Sequence, residues 1–359
     1  MARKILAITV KPVLAPETRY RVLQYIEPFN RAGLKVDHRS FLDEYFFRLH
    51  VGQKSGPAST VKKLIHYFIL YARMVVFLMK NMHHYDAIWI NREISPVGPP
   101  ILEKILFSFK KKIILDIDDA IYLKDPTSNS FIHRYLRDFS KFEKTGPLFD
   151  HIVCGNSYLA RYFDQFNHNV SIIPTVVSIA RYRQIKKKTN RIVRIGWIGT
   201  PTNYAHFEII KAPVCRLAKK AEFEIEIVGL NERLDWPIEN MIYTDWRLED
   251  ESDYFGRFDI GIMPLIDNKF TRGKCAFKII QYMAAGIPVV ASPVGANREV
   301  IKDGINGFLA ENEMQWYHKL ALLIERVELR KDLGREGFKT VRERYSLESQ
   351  WENYAKIFS

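Results

Sequence analysis

The sequence predicts an α/β protein with two Rossmann-like domains, each built on a parallel sheet. Short, continuously apolar segments alternate with helical segments, as in parallel sheets that helices cover on both faces. This alternation occurs twice, before and after a polar, basic stretch from Val177 to Arg191. The 359 residues are enough for two domains with cores of their own.

The chain is strongly basic, with 54 Lys and Arg against 41 Asp and Glu, a net charge of +13. This charge favours an acidic partner, such as nucleic acid, an anionic membrane surface or a phosphorylated substrate. The basic stretch from Val177 to Arg191 has almost no aromatic residues to stack on bases. We therefore interpret it as a solvated domain linker and expect no nucleic-acid partner.

Cysteine usage and the N-terminus favour a cytoplasmic protein. Cys154, Cys215 and Cys275 are widely spaced and odd in number, which supports neither a disulfide framework nor a zinc site with paired cysteines. The apolar run near the start is interrupted by Lys11 and Pro12, and this favours a first strand over a signal peptide. The sequence contains no uninterrupted apolar stretch of membrane-spanning length.

The first half begins with a βα unit, a strand from Lys4 to Thr9 followed by a helix from Arg19 to Ala32. Arg19 and Arg21 lie at the mouth of this unit. They either hold a phosphate or acceptor group or are solvated arginines at a helix start. The pattern predicts further strands at Tyr85–Asn91, Lys112–Asp116, His151–Cys154 and Val170–Pro174, and helices at Ile101–Phe109 and Tyr158–Phe166.

Residues 61–82 form an unusual segment that is almost continuously apolar from Leu64 to Met79, with Lys62, Lys63 and Lys80 at its ends. Two interpretations are equally open. The segment is either a helix in a membrane interface whose lysines reach anionic headgroups, or a core helix under the sheet.

Carboxylates follow the strand from Lys112 in the sequence Asp116-Ile117-Asp118-Asp119. The carboxyl ends of parallel strands are where α/β enzymes place their chemistry. A D-x-D pattern can bind a divalent metal through oxygen ligands. The same residues can also form a helix cap with solvated neighbours.

The second half repeats the plan. After its first strand, Gly199 begins a turn that leads into a helix. Thr200 and Thr202 lie where a helix N-terminus meets a phosphate, or they cap the helix. The predicted strands are Arg194–Ile198, Glu224–Val228, Met241–Thr244, Asp259–Met263 and Ile287–Ala291, and a last helix spans Leu347–Phe358.

The most informative stretch runs from Thr271 to Gly307. A basic, glycine-bearing loop precedes a helix from about Ala276 to Gly286, a buried strand, and a second glycine-bearing turn from Ser292 to Ala296 that leads into a short helix. Such an arrangement presents backbone N–H groups and cations to an anionic ligand at one edge of a parallel sheet.

These segments resemble the family 4 retaining glycosyltransferases of the GT-B fold, and most closely a bacterial envelope-polysaccharide subgroup. The resemblance extends nearly end to end. It is carried by PETRYRVLQYIEPFNRAGLKV, IILDIDDAIY, VCGNSYLA, IIPTVV, IGWIGTPTN, DIGIMPL and, above all, RGKCAFKIIQYMAAGIPVVASPVGANREVIKDGINGFLA.

The resemblance implies two domains whose parallel sheets face a central cleft. Residues 1–178, with a returning helix at 345–359, are expected to bind the acceptor. Residues 179–344 are expected to bind a nucleoside-diphosphate sugar.

The resemblance also implies the donor contacts. The family often carries an E-x7-E pair, which here becomes Gly273 and Gln281. The Gln281 amide can still bond a ribose, whereas Gly273 has no side chain, so backbone N–H groups from Lys274 to Phe277 are expected to contribute more. The expected donor-binding residues are Gly199, Thr200, Thr202, Lys274, Cys275, Ala276, Phe277, Lys278, Gln281, Gly295, Ala296 and Asn297.

The chemistry requires fixed positive groups at the diphosphate, because charge develops on the leaving oxygen while the sugar becomes cation-like. Arg272, Lys274 and Lys278 are the candidates. In the retaining enzymes that the chain resembles, the departing phosphate takes the acceptor proton, so we expect neither a dedicated base nor a metal or other cofactor. Asp118 or Asp119 is expected to position the acceptor hydroxyl or to stabilise the cationic sugar.

The leading prediction is a transferase that moves a sugar from a nucleoside-diphosphate sugar to a lipid-linked, polysaccharide or lipopolysaccharide acceptor. We expect a cytoplasmic enzyme, peripheral on the inner face of the membrane through residues 61–82. The alternatives are a metal-dependent GT-A transferase using Asp116 and Asp118, and a non-catalytic protein that binds nucleotide sugars or nucleic acid.

Overall fold

The computed structural model describes residues 3–50, 57–126, 135–200, 203–230 and 233–359. The chain divides into two compact units. Unit 1 comprises Met1–Thr175 and Trp351–Ser359, and unit 2 comprises Val176–Gln350. Each unit contains one six-stranded sheet in which all neighbouring strands are parallel. The predicted α/β class with two parallel sheets is confirmed.

The sheet of unit 1 has the strand order β2-β1-β3-β4-β5-β6. Strand β2 was not predicted, because it lies at the edge of the sheet and mixes exposed polar residues with buried ones. The central strand β3, in contrast, is buried along its whole length. The strands are β1 Arg3–Thr9, β2 Leu34–Ser40, β3 Ala87–Asn91, β4 Lys112–Ile117, β5 His151–Cys154 and β6 Val170–Ile172.

Helices connect these strands as parallel crossovers require. The helical connection between β1 and β2 is continuous but irregular. An α-helical turn, a π-helical segment at Arg19–Leu23 and a regular α-helix follow one another in it. The α-helices in this part of the chain are α1 Pro16–Thr18, α2 Gln24–Arg31, α3 Glu44–His50, α4 Pro57–Asn81, α5 Ile101–Phe107, α6 Lys141–Thr145 and α7 Ser157–Phe163, with 3-10 turns at Met82–His84 and Gly146–Leu148.

The sheet of unit 2 has the order β12-β11-β10-β7-β8-β9. The two-residue edge strand β12 was not predicted, because it is too short to give an apolar pattern. The strands are β7 Arg194–Ile198, β8 Glu224–Val228, β9 Met241–Thr244, β10 Ile260–Met263, β11 Val289–Ala291 and β12 Phe308–Leu309.

The helices of the remaining chain are short at the carboxyl edge of the sheet and long towards the C-terminus. They are α8 Ile179–Arg183, α9 Tyr204–Phe207, α10 Lys211–Ala218, α11 Glu251–Arg257, α12 Lys269–Arg272, α13 Phe277–Ala284, α14 Asn297–Val300, α15 Glu313–Glu325, α16 Val327–Arg344 and α17 Leu347–Phe358, with a 3-10 turn at Glu208–Ile210.

The stretch predicted as a solvated linker lies at the start of unit 2, where most of its side chains are exposed and hydrogen bonds hold it to the rest of that unit. The backbone N–H of Lys188 donates to the carbonyl of Gly256 at 2.8 Å. The Asn190 amide donates to the Arg257 carbonyl at 2.7 Å and to Asp259 at 2.8 Å. Polar residues therefore fix this stretch by hydrogen bonds that its composition does not reveal.

The last helix ends inside the core of unit 1. The ring of Tyr354 lies 4.9 Å from Trp89 on β3 and 5.0 Å from Tyr25 on α2. The ring of Phe358 lies 5.8 Å from Phe29. Aromatic pairs at such distances stabilise a core beyond their buried area. Residues 351–359 thus form part of the core of unit 1.

A buried charge lies beside these rings. The Asp116 carboxylate, at the end of β4, is fully buried. Arg21 donates to its Oδ1 from Nε at 2.9 Å, and the Tyr354 hydroxyl donates to its Oδ2. Arg21 also donates to the Ile173 carbonyl at 2.8 Å. Burying an unpaired carboxylate would cost a large amount of free energy, so Arg21 and Tyr354 are required for an aspartate at this position.

Tyr354→Phe should lower the free energy of unfolding by about 1–3 kcal/mol, because it leaves one oxygen of a buried carboxylate without its donor. The measurement is differential scanning calorimetry. The matched control is Tyr45→Phe, which removes the hydroxyl of an exposed tyrosine and should change the free energy by less than about 0.5 kcal/mol. Equal shifts for the two variants would contradict the structural role of the Tyr354 hydroxyl.

Candidate functional site

The stretch from Thr271 to Gly307 lies at the carboxyl edge of the unit 2 sheet. Strand β10 is the neighbour of both β7 and β11. The loop after β7 begins at Gly199, that after β10 leads to α12, and that after β11 contains Gly295. The carboxyl ends of parallel strands meet at one edge, so the sheet brings together loops that are distant in sequence.

Two glycines permit the close packing of these loops. A Cβ on Gly199 would lie 2.2 Å from the ring of Trp197, and a Cβ on Gly295 would lie 2.3 Å from the backbone oxygen of Arg272. Gly295 also has a φ of +51°, which a residue with a side chain rarely adopts. Both predicted donor positions are thus close backbone approaches.

Two lysines provide positive charge next to these loops. The Lys274 ammonium lies 5.3 Å from the ring centre of Phe270, and the Lys278 ammonium lies 5.0 Å from that of Trp197. Burial, with a smaller effect of Lys274, lowers the pKa of Lys278 to about 7. Burial and Lys274 are the influences on the Lys278 ammonium, and both oppose its charged form. A buried cation next to a second cation at the end of a parallel sheet favours an anionic ligand.

Arg272 is bonded within the protein. Its guanidinium forms a fork with Asp267, with Nε–Oδ1 at 2.6 Å and Nη2–Oδ2 at 3.1 Å. The arginine also lowers the pKa of the Asp267 carboxyl, chiefly by hydrogen bonding. Arg272 therefore shares its charge with a carboxylate that the sequence interpretation did not consider.

Two buried amides at this edge have polar atoms without a partner among the described residues. Gln281 is 4% exposed, and its Nε2 has no acceptor. Asn297 is 1% exposed, and its Oδ1 has no donor, although its Nδ2 donates to the Ser292 carbonyl at 2.8 Å. Buried polar groups are normally paired, so both positions indicate a site that a polar ligand completes.

The backbone between Gly273 and Phe277 differs in part from the expectation. The N–H of Lys274 donates to the carbonyl of Thr271 at 3.1 Å, so it closes a turn and does not point to a ligand. Ala276, which precedes α13, has a φ of +52°. A non-glycine residue in this left-handed region stores strain, and such strain is concentrated at functional sites. Cys275 is buried beside it.

The remaining predicted donor residues occupy the flanking turns. The Thr200 hydroxyl accepts from the Asn203 amide at 2.8 Å, and Thr202 lies outside the described residues. Ala296 precedes α14, a helix of only four residues. Phe277 is the first residue of α13, which is joined to the sheet because the Tyr282 hydroxyl accepts from the N–H of Ile198 at 3.1 Å.

The structure places the two predicted acceptor arginines inside unit 1. Arg21 is fully buried and bonded to Asp116. Arg19 is 9% exposed and donates to the carbonyls of Val13 and Leu14 at 3.2 and 2.8 Å. Both guanidinium groups therefore support the framework, and this geometry speaks against direct acceptor contact.

The predicted carboxylates after β4 belong to an ion cluster that the sequence interpretation missed. Arg92 follows β3 and donates to Asp118 from Nε at 2.6 Å and from Nη2 at 2.9 Å. Glu17 joins this cluster between Arg92, at 3.3 Å, and Lys11, at 2.7 Å. The sequence did contain a signal for this cluster, because Arg92 directly follows β3 as Asp118 directly follows β4, and these two strands are neighbours.

Comparison with known proteins identifies the chemistry. The family model "Glycosyl transferases group 1" matches residues 189–326. A Methanocaldococcus jannaschii protein described as an uncharacterized glycosyltransferase is 25% identical over 286 residues, which cover 72% of this chain and 70% of that protein. The chain is a glycosyltransferase.

Solved structures show its GT-B fold. The glycosyltransferase superposes on Anabaena HepE in complex with UDP with a TM-score of 0.65 and 14% identity, over 99% of both chains. It superposes on the lipopolysaccharide outer core galactosyltransferase WaaB with a TM-score of 0.66 and 13% identity, again over 99% of both. The GT-A alternative is therefore wrong, and Asp116, which that alternative used, is occupied by Arg21 and Tyr354.

The glycosyltransferase exposes an apolar face on α4. The inner side of this helix is buried at Leu70, Met74 and Leu78, whereas Phe68 on the outer side is 76% exposed. The other large apolar residues on the exposed side are Val61, Leu64, Ile65, Ile69, Val76 and Met79. Within the described part of the chain, no helix has both the length and the apolarity that crossing a bilayer requires.

The affinity of the glycosyltransferase for sulfate, as a simple anionic probe, should fall between pH 7 and 9. The pKa of Lys278 is about 7 in the free protein, so its charge is present below this pH and is lost above it. A bound anion favours the charged lysine and shifts the fall to higher pH. A shift of one pKa unit corresponds to about a tenfold change in affinity.

Titration calorimetry with sulfate, whose charge is constant in this range, at several pH values provides the measurement. Lys278→Gln should remove the pH dependence, and Lys220→Gln, at an exposed lysine of the same unit, should keep it. A wild-type dissociation constant that is constant from pH 7 to 9 would rule out this role of Lys278.

Proposed function

We propose that the protein is a retaining glycosyltransferase that moves a sugar from a nucleoside-diphosphate sugar to a glycan or lipid-linked acceptor of the polysaccharide or lipopolysaccharide type. The observation that carries the proposal is the buried Lys278 ammonium beside Lys274, together with the buried amide of Gln281, whose Nε2 has no partner among the described residues. A diphosphate supplies negative charge to the buried lysine, and a ribose supplies a hydrogen-bond partner to the amide.

The donor half of this proposal concerns unit 2. Lys274 and Lys278 stabilise the charge that develops on the leaving diphosphate, and Gln281 and Asn297 hold polar groups of the nucleotide. Gly199, Gly295 and the turn at Ala276 let the backbone approach the phosphates. The complexes of Anabaena HepE with UDP and UDP-glucose support a nucleotide donor of this class.

The acceptor half concerns unit 1, where Asp118 and Asp119 lie at the carboxyl end of β4. One of these two carboxylates orients the acceptor hydroxyl, and the leaving phosphate takes its proton. No metal or other cofactor takes part in the proposed reaction.

A panel of sugar nucleotides tests the donor assignment. UDP-glucose, UDP-galactose, UDP-N-acetylglucosamine and GDP-mannose are compared by thermal stabilisation. A ligand at 100 times its dissociation constant adds about 2.7 kcal/mol of stability. We expect at least one donor to stabilise the protein and to be turned over with alkyl glycosides as acceptors.

Lys274→Ala should reduce donor affinity about tenfold or more, because a charged hydrogen bond or ion pair to phosphate is lost. Lys220→Ala is the control, because this lysine is exposed in the same unit. The absence of both stabilisation and turnover with every donor would sink the proposal, as would equal effects of the two substitutions.

We further propose that α4 binds the anionic inner face of the cell membrane, close to a lipid-linked acceptor. The helix contains no acidic residue, and Lys62, Arg73 and Lys80 are exposed beside its apolar residues. An apolar face with flanking cations is suited to the boundary between headgroups and acyl chains. A second copy of the chain would be attracted less, because the face of each copy is positively charged.

Ile65→Glu/Phe68→Glu should abolish sedimentation with vesicles of phosphatidylcholine and phosphatidylglycerol. Each apolar side chain contributes about 1.5–3 kcal/mol when buried, so the loss should exceed tenfold. Ile305→Glu is the control, because Ile305 of unit 2 is 58% exposed and Ile65 is 57% exposed. Binding by the double variant equal to that of Ile305→Glu, or a wild-type protein that dimerises without binding vesicles, would overturn the membrane assignment.

A further inference from the structure

Arg92 holds the carboxylates of unit 1 together from an unusual backbone conformation. It follows β3 directly, and its φ is +68°, in the left-handed region. Its N–H donates to the Asp116 carbonyl at 2.7 Å. A residue with a side chain loses energy in this conformation, whereas glycine does not. Other interactions therefore hold the arginine in this conformation. The interactions of its guanidinium compensate for the strain of its backbone.

The guanidinium of Arg92 serves three carboxylates. It forms the fork with Asp118, it lies 3.3 Å from Glu17, and its Nη2 lies 3.8 Å from Oδ2 of Asp119. Its side chain is only 17% exposed. Although burial opposes the charged form, Asp118 and Glu17 outweigh it and raise the pKa of Arg92. The Arg92 guanidinium is therefore charged at neutral pH.

The two aspartates are used differently. Both oxygens of Asp118 accept from Arg92, and its side chain is 10% exposed. Oδ1 of Asp119 accepts from the N–H of Ala120 at 3.0 Å, whereas its Oδ2 lies 3.8 Å from Nη2 of Arg92, beyond hydrogen-bond distance. The side chain of Asp119 is also more exposed, at 18%. A carboxylate oxygen with spare lone pairs at a sheet edge can accept from a substrate hydroxyl.

We propose that Asp119 accepts the hydrogen bond of the acceptor hydroxyl, and that Arg92 is a positioning residue that acts on Asp119 through its fork with Asp118. This inference rests on the proposed function and decides between the two aspartates that it names. The Arg92–Asp118 fork fixes the turn after β4, so Oδ2 of Asp119 keeps one orientation. Arg92 itself does not touch the acceptor.

The first test compares acceptor kinetics. Transfer from the donor selected by the panel above to octyl glucoside, octyl galactoside and octyl mannoside is measured for the wild type and for Asp119→Asn. We expect kcat/KM for the acceptor to fall about 10- to 100-fold, because a hydrogen bond to a charged group is lost. The dissociation constant for the donor should remain within a factor of two.

The second test examines positioning. Arg92→Lys keeps the charge and loses the fork, so it should lower kcat/KM for the acceptor about tenfold without changing donor binding. Arg92→Gly removes the side chain and the backbone strain, and should lower it at least as much. In the Arg92→Gly background Asp118→Asn should have no further effect, whereas Asp119→Asn should retain one.

Lys110→Gly is the matched control for backbone strain. Lys110 also has a positive φ, of +52°, but it is an exposed residue at the end of α5, and its substitution should leave transfer unchanged. Melting temperatures identify any variant that fails to fold. A wild type that transfers sugar to no acceptor contradicts the proposed function. A wild type that transfers sugar, with Asp119→Asn or Arg92→Gly equally active, contradicts the present inference alone.

Discussion

The buried carboxylate of Asp116 constrains the first unit more than any other group. It ends a central strand in a place without water, where an ionised group is tolerated only with partners. Arg21 and Tyr354 supply them from positions 95 and 238 residues away in the sequence. The helix after β1, the end of β4 and the last helix must therefore assemble together. Asp118 and Asp119 follow Asp116 by two and three residues. Arg21 and Tyr354, which pair with the buried Asp116 carboxylate, therefore also fix the position of the candidate acceptor carboxylates.

The two units differ in the charge at their sheet edges. In unit 1 the cations Lys11 and Arg92 face Glu17 and Asp118, so the positive charge is compensated within the protein. In unit 2 burial, together with the nearby charge of Lys274, lowers the pKa of Lys278. A compensated edge can orient a neutral hydroxyl, whereas an edge with a buried lysine beside a second cation gains most from an anion. This difference supports the proposed division into an acceptor side and a donor side.

The sequence predicted what depends on local pattern and missed what depends on distant partners. Strands β3 and β4 were found because burial on both faces makes them continuously apolar, whereas the edge strands β2 and β12 have no such signal. The loops around Gly199 and Gly295 were located correctly, since glycine marks close backbone approaches. Arg21 could not be separated from a functional arginine, because its partners, Asp116 and the Ile173 carbonyl, are distant in sequence. The partners of Arg19 and Arg272 are only five or six residues away, but the residue pattern does not show how a side chain folds back onto its own loop.

Backbone strain occurs at both candidate edges. Among the described non-glycine residues, Arg92, Lys110 and Ala276 have a positive φ. Two of these three lie next to the proposed acceptor and donor groups. A glycine would adopt the same conformation without strain, but it would also gain freedom to leave it. A residue with a Cβ is held in one conformation only if its surroundings are rigid, which is the property that a site needs in order to hold reacting groups in place before the substrate arrives. The strained positions are therefore better explained by preorganisation of the two edges than by a defect in either loop.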